Sequence, residues 1–179
     1  EILDEAIYKG KQVSFNYNHF ETDKKLHPAL NNDGIPKEYI INPYQIAATN
    51  GRYYLICNND KYDNVSNYRL ERITNIKLLD SPVKPQGKVK GLENGLNLPK
   101  HMAEHLYMFS GESIPVRFIA KKYLLNDLLD WFGKDIKIEE QKDGRFLIKV
   151  KASINAMEYW AMQYLNAVEV LSPLELRER

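Results

Sequence analysis

Arginine and tyrosine side chains between residues 17 and 72 have the chemistry to hold a phosphate group beside a planar ring. A guanidinium binds a phosphate through two parallel hydrogen bonds, and a tyrosine ring stacks on a nucleic-acid base. If folding brings them together, they predict a ligand-binding site for a nucleotide or a short single-stranded nucleic acid. The candidate residues are Arg69, Arg72, Tyr54, Tyr44, Arg52 and Tyr17.

Strand alternation predicts which face of the chain carries each candidate. In the segment RYYLIC, which starts at Arg52, the uncharged residues Tyr53, Leu55 and Cys57 share one face, so we expect that face to be buried. Arg52 and Tyr54 then point to solvent or to a ligand.

The same reasoning applied to residues 65–80 places Arg69 outward beside Glu71, and Arg72 on the apolar side near its end. The alternative to a ligand role is an ordinary solvated or ion-paired arginine at a strand edge, with Glu71 or Asp60 as the acid that neutralises Arg69 or Arg72.

A second pattern, His101-Met102-Ala103-Glu104-His105, has the H-x-x-E-H spacing of inverted zinc proteases. On a helix the two histidines would share a face as zinc ligands, with the glutamate as general base. The alternative is a short amphipathic helix that packs between two units. We favour this alternative because five residues are a weak signal.

Other catalytic patterns are missing from the sequence. Cys57 has no motif partner, so we expect a buried, inert thiol. The glycines from Gly87 to Gly95 lack the ending of a phosphate-binding loop, and Glu139 and Glu140 would point to opposite faces of a strand. We therefore expect a protein that is not an enzyme and that needs no cofactor or metal.

Composition limits the class of protein. The chain has 179 residues, 44% of them hydrophobic, a net charge of +1 and one cysteine. This composition excludes a disulfide scaffold and favours a reducing compartment such as the cytoplasm. No apolar run approaches the roughly 20 residues that span a bilayer, so no membrane association is expected. Basic and acidic residues are balanced in every segment, so a nucleic-acid contact would need a local cluster of cations.

Residues 1–80 predict a small β-barrel preceded by a helix. Ile2, Leu3, Ala6 and Ile7 recur at helical spacing before Gly10. Four strands are expected after it, at 11–20, 38–48, 52–57 and 65–80, with an exposed loop from Glu21 to Pro36. Residues 81–112 contain several prolines and glycines and read as a linker with a short helix.

Residues 113–179 predict the element order β-α-β-β-α-β, which is the ferredoxin-like arrangement. The fold class is therefore α+β. The predicted helices carry more apolar surface than one sheet face needs. We expect a core role for their large apolar residues, and the alternative is a subunit contact through one of these helices or an edge strand. These large apolar residues are Leu128, Leu129, Trp131, Phe132, Met157, Trp160 and Met162.

The first unit resembles the WYL domain, a small Sm-like or SH3-like barrel found mainly in bacterial transcriptional regulators. Tyr53-Tyr54-Leu55 corresponds to the family's naming triplet, with Tyr in place of the usual Trp. Asn42-Pro43-Tyr44 precedes it, and the segment from Tyr68 to Ile73 matches the aromatic-Arg-Leu-Asp-Arg-Ile signature, with Glu71 where Asp is usual. MFSGE at 108–112 and the C-terminal unit resemble the extension that accompanies WYL domains.

The resemblance implies the effector-sensing and dimerisation region of a bacterial regulator. Its barrel would bind a nucleotide or a short single strand through arginines, and its extension would form a homodimer. We expect promoter DNA to be bound by a helix-turn-helix domain that is absent from this chain, which would then be a fragment. The alternatives are a ligand-independent oligomerisation or interaction module and, more remotely, a zinc peptidase.

Overall fold

The computed structural model describes all residues from Glu1 to Arg179. The chain divides into two compact units, Glu1–Leu96 and Asn97–Arg179. The division falls inside the segment 81–112 that the sequence predicts as a linker. No helix is both long and apolar enough to cross a membrane.

The first unit begins with helix α1, Ile2–Lys9, which ends at Gly10. This glycine has a φ of 62°, a left-handed conformation in which glycine is favoured because it has no Cβ. Six strands follow: β1 Lys11–Phe20, β2 Leu26–Pro28, β3 Glu38–Thr49, β4 Arg52–Asn59, β5 Val65–Arg69 and β6 Ile73–Pro82.

Two of the predicted boundaries in this unit are wrong. The expected loop from Glu21 to Pro36 contains β2, which pairs with the end of β1. The expected strand 65–80 is two strands, because a 3-10 turn at Leu70–Arg72 separates β5 from β6. We call this element the Leu70–Arg72 turn.

The six strands form one sheet in which β5, β4, β3 and β1 lie side by side, every pair antiparallel. Strand β6 crosses to the free side of β1 and pairs along its first part, while β2 pairs at its end. No pairing between β5 and β6 closes the sheet, so the Sm-like or SH3-like barrel stays a prediction.

The core of the first unit lies between α1 and the sheet. It is built from aliphatic and aromatic residues of the helix and of β1, β3 and β4, namely Leu3, Ala6, Val13, Phe15, Ile41, Leu55 and Cys57. Burial raises the pKa of the Cys57 thiol well above its usual range, so the side chain stays protonated and packs as a small apolar group.

The second unit contains four strands and four helices. In chain order they are α2 Leu98–Glu104, β7 Ser113–Ala120, α3 Leu125–Phe132, β8 Lys137–Glu140, β9 Phe146–Ser153, α4 Ile154–Gln163, β10 Val168–Ser172 and α5 Leu174–Glu178. The elements from β7 to β10 follow the predicted β-α-β-β-α-β order. With two antiparallel sheets and five helices, the predicted α+β class is confirmed.

The sheet of the second unit has the order β10-β7-β9-β8, with every neighbouring pair antiparallel. Helices α3 and α4 pack on one of its faces around Trp160, whose ring lies 4.9 Å from that of Phe132 and 5.2 Å from that of Phe118. Leu128 and Met157 are fully buried beside it.

The two histidines of the HMAEH pattern are buried against each other. His101 lies in α2 and His105 just after it, and their rings stack with centroids 4.3 Å apart. His105 Nδ1 donates to the carbonyl of Phe109 at 2.9 Å. No group of three or more His, Cys, Asp or Glu side chains in the structure is arranged to hold a metal ion.

Burial lowers the pKa of both imidazoles, and for His101 the neighbouring His105 adds to this effect and the pKa falls to about 3. An unfolded histidine has a pKa of about 6.5. Between these two values the unfolded chain takes up a proton that the folded chain does not, so the folded state loses stability as the pH falls.

We therefore expect the free energy of unfolding of the second unit to fall below about pH 6.5, with His101 contributing about 1.4 kcal/mol per pH unit. Urea unfolding followed by tryptophan fluorescence measures this unit, since Trp131 and Trp160 both lie in it. His101→Leu should flatten the dependence, whereas His27→Gln in the first unit should not. An equally steep fall in His101→Leu would contradict the assignment.

Candidate functional site

The Leu70–Arg72 turn sets the positions of the two candidate arginines. Arg69 is the last residue of β5 and Arg72 the last residue of the turn. A 3-10 turn rises only about 2 Å per residue, so the two side chains leave the backbone close together. The alternation of side chains between the two faces of a strand does not continue across this turn.

Tyr54 lies beside Arg69 because the two residues are direct partners in the β4–β5 register. Side chains of directly opposite residues start about 5 Å apart on the same face of a sheet. A tyrosine ring and a guanidinium are therefore adjacent on this face.

Tyr17 joins the group from strand β1, which is adjacent to neither β4 nor β5 in the sheet. Its hydroxyl accepts a hydrogen bond from the backbone N–H of Arg69 at 3.1 Å. The Tyr17 ring packs edge to face against Tyr68, with centroids 4.8 Å apart. Tyr17 thus supports the position of Arg69 from below, with its ring in the aromatic packing of the unit.

The guanidinium of Arg69 is occupied by Glu71, one of the two acids expected to neutralise an arginine. Its Nε donates to Glu71 Oε1 at 2.6 Å, and Nη2 donates to the same oxygen. Desolvation of the Glu71 carboxyl opposes ionisation, but the hydrogen bond and charge of Arg69 outweigh it, so the pKa lies below its usual range. The side chain of Arg69 is 21% exposed.

Arg72 is held differently and keeps an unused donor. Its guanidinium carbon lies 5.9 Å from the centroid of the Phe20 ring, a cation–π arrangement. Its Nε is buried and has no hydrogen-bond partner. Buried polar atoms are nearly always hydrogen-bonded, so an unpaired donor beside Arg69 is a reason to look for a bound acceptor.

Arg52 and Tyr53 begin strand β4 next to the Asn50-Gly51 turn. Arg52 is exposed and lies two residues from Tyr54, hence on the same face of the strand. The prediction that Tyr53 is buried is wrong: it is 60% exposed, because it pairs with the exposed Ala48 at the turn end of the hairpin. Leu55 and Cys57, further along the strand, are buried as expected.

Tyr44 lies apart from the other candidates. It is buried, its hydroxyl donates to the carbonyl of Lys84 at 2.8 Å, and burial raises its pKa. The surrounding side chains form a polar network in which Asp60 accepts from Gln12 and Asn42. Asp60 also pairs with Lys84 at 3.2 Å, so it does not neutralise either candidate arginine.

Five of the six predicted residues thus lie on β1, on β4, or at the two ends of the Leu70–Arg72 turn. Sequence reasoning missed Phe20, whose only signal is an aromatic residue at the end of the first alternating strand. A separate cavity of about 400 Å³ lies beside Leu70 and contains none of the predicted site residues. Its lining is mainly aliphatic and includes Ile2, Leu3, Ile46, Ile73 and Ile76.

Comparison with known proteins places this arrangement in a family. The WYL domain model matches residues 1–78. No curated protein matches the chain. Among solved structures, the chain is similar to proteasome accessory factor B/C (PafBC) of Arthrobacter aurescens, with 17% identity and a TM-score of 0.42. It is also similar to a CRISPR Cas-related protein, with 13% identity and a TM-score of 0.53.

The chain corresponds to part of each of these proteins. The similarity covers 98% of this chain but 24% of the PafBC chain, and 99% of this chain but 46% of the CRISPR Cas-related protein. The second similarity extends the common fold over both units. The resemblance inferred from the residues between Asn42 and Ile73 is confirmed by the match of the WYL domain model, which covers residues 1–78 of the 179.

Proposed function

We propose that the first unit binds an anionic effector, a nucleotide or a short single-stranded nucleic acid, through Arg69, Arg72 and Tyr54. Arg52 and Tyr17 flank this site. The observation that carries the proposal is the placement of Arg69 and Arg72 at the two ends of one short turn, with Tyr54 directly opposite Arg69. A phosphate would accept hydrogen bonds from the guanidinium groups, and the Tyr54 ring would stack on a base.

The bound phosphate would replace Glu71 as the partner of Arg69. An ion pair between partly exposed groups contributes only about 0–1 kcal/mol, so the exchange costs little. A phosphate also accepts two parallel hydrogen bonds from one guanidinium, whereas Glu71 uses a single oxygen here. The proposed site is therefore closed by an internal anion until an external one competes for the arginine.

We further propose that the chain is the sensing part of a bacterial transcriptional regulator that works in the cytoplasm. In this account promoter DNA is bound by another part of the regulator. The effector would act by binding one state of the regulator more tightly than another, since only a difference in affinity shifts such an equilibrium. The proposed function involves no catalytic step, cofactor or metal.

Homodimerisation is proposed for the second unit, which we infer to be ferredoxin-like. Of the apolar residues predicted to be in excess, Leu128, Phe132, Met157 and Trp160 fill the core. Met162 at the end of α4 is 63% exposed, and Leu165 just after it is 74% exposed. Exposed apolar side chains next to each other favour a contact with a second copy of the chain.

Removing both arginines should weaken the proposed binding. In fluorescence anisotropy with a labelled single-stranded oligonucleotide, we expect Arg69→Ala/Arg72→Ala to weaken binding at least about tenfold, because charge-assisted contacts contribute roughly 1.5–3 kcal/mol each. The slope of the logarithm of the binding constant against the logarithm of the salt concentration should become shallower by about 1.4, because two phosphate contacts are lost. Lys61→Ala/Lys88→Ala removes the same charge from exposed positions of the first unit and should bind as the wild type does.

If the arginine variant is folded and still binds as the wild type does, the assigned site is wrong. If neither protein binds oligonucleotides, a screen of cyclic and linear dinucleotides by thermal shift decides between a smaller nucleotide and the ligand-independent module.

The dimer contact predicts a second result. Sedimentation velocity should show a dimer for the wild type and a monomer for Met162→Glu/Leu165→Glu, because two buried charges would oppose the apolar contact. Tyr123→Glu, at another exposed position of the second unit, should remain a dimer. A wild-type monomer at concentrations up to about 100 μM would contradict the proposal, since its dissociation energy would then be below about 5.5 kcal/mol.

A further inference from the structure

The sheet of the second unit has one face that no helix covers. Its strands alternate between residues packed under α3 and α4, such as Val116, Phe118 and Ile148, and residues on the opposite face. That opposite face carries four cations on β7, β8 and β9, and two acids, Glu139 of β8 and Glu169 of β10. We call it the basic sheet face, and its cations are Arg117, Lys137, Lys149 and Lys151.

Register brings three of these cations into one row. Arg117 is the direct partner of Lys149 across β7 and β9, and Lys149 is the direct partner of Lys137 across β9 and β8. Neighbouring strands lie about 4.8 Å apart, so the row spans about 10 Å of backbone. Lys151 lies two residues further along β9, opposite Pro115.

The charges of this face are only partly neutralised. Lys149 pairs with Glu139 at 2.6 Å. That hydrogen bond and the charge of Lys149 lower the pKa of the Glu139 carboxyl, and Arg117 and Lys137 lower it further. The side chains of Arg117, Lys137 and Lys151 make no hydrogen bond or ion pair, and all three residues are exposed.

The cations of this row repel one another, and Glu139 offsets that repulsion only in part. Like charges directly opposite each other on neighbouring strands are destabilising. Elsewhere in the same unit Arg145 and Arg179 are each paired with two carboxylates. The concentration of unpaired cations is therefore a local feature of this face, in a chain whose net charge is only +1.

We propose that the basic sheet face binds the phosphodiester backbone of a nucleic acid. A row of cations along adjacent strands matches a chain of regularly spaced phosphates. The apolar residues of this face, Pro115, Ile119 and Leu147, offer no aromatic ring for base stacking. The contact is thus made to the backbone, independent of sequence and strongly weakened by salt.

The proposal does not depend on the site in the first unit, and the test separates the two. Anisotropy is measured with labelled 20-nucleotide single-stranded DNA, the same sequence as RNA, and a DNA duplex, each against the full chain. Arg117→Gln/Lys137→Gln/Lys151→Gln is placed both in the wild type and in the Arg69→Ala/Arg72→Ala background. The two backgrounds show which binding belongs to which unit.

In the Arg69→Ala/Arg72→Ala background, where the basic sheet face is the remaining proposed site, we expect the triple substitution to weaken binding at least tenfold at low salt. The log–log salt slope should fall by about 2 for single strands, at roughly 0.7 per phosphate contact. Lys121→Gln/Lys134→Gln/Lys142→Gln removes the same charge from exposed positions outside the sheet face and should bind normally. Arg117→Lys/Lys137→Arg/Lys151→Arg keeps the charge and should also bind normally.

Unchanged affinity in the triple variant overturns the proposal, and so does an equal loss in the control that lacks the other three lysines. If poly-glutamate displaces the oligonucleotide as efficiently as unlabelled DNA does, the proposal is overturned and the ligand of this face is an acidic peptide. The three probes distinguish RNA from DNA and single strands from duplex. Unfolding followed by tryptophan fluorescence establishes that each variant is folded.

Discussion

The candidate site depends on how the chain crosses from one side of the first sheet to the other. Strand β5 is at one edge of the sheet, and β6 pairs with β1 at the opposite side, so the Leu70–Arg72 turn must connect them. Two side chains of β1 hold its ends: the hydroxyl of Tyr17 accepts from the Arg69 N–H, and Asn18 donates to the carbonyl of Arg72 at 2.8 Å. The positions of both arginines follow from these two hydrogen bonds.

This attachment explains why two cations can be kept near each other. Their backbones are anchored on the same strand, and each guanidinium has a different local partner, Glu71 for Arg69 and the Phe20 ring for Arg72. Neither partner uses the full hydrogen-bonding capacity of a guanidinium, which has five N–H donors. In the proposed function, an anion would bind to two arginines whose backbone positions are already fixed.

The sequence predicts the local elements well and the site less well. The first strand, the helix before it and the β-α-β-β-α-β order are present as expected, since hydrophobic period and turn residues are local signals. The pairing of Tyr54 with Arg69 depends on the register of two strands, which periodicity does not determine. Tyr44 has the same residue type as Tyr54, yet tertiary packing buries it in a different polar network.

The 3-10 turn shows most clearly why the remaining features could not be predicted. The residues from 65 to 80 alternate as they would in one strand. The 3-10 turn interrupts that strand, so alternation does not determine the face on which Arg72 lies. Tyr53 is exposed for a different reason. It shares the face of Leu55 and Cys57, but it lies at the end of the hairpin, which the core does not reach. The cations of the basic sheet face were visible in the sequence, whereas their row exists only through the register of three strands.

The central claim is that Arg69 exchanges Glu71 for an external phosphate, and the affinity of Glu71→Gln for a short single-stranded oligonucleotide tests it most directly. The account predicts binding about threefold tighter than in the wild type, because the competing pair contributes roughly 0.2–1 kcal/mol. Glu38→Gln, which removes an exposed charge at the start of β3, is the matched control. Equal affinities for Glu71→Gln and Glu38→Gln would contradict the claim.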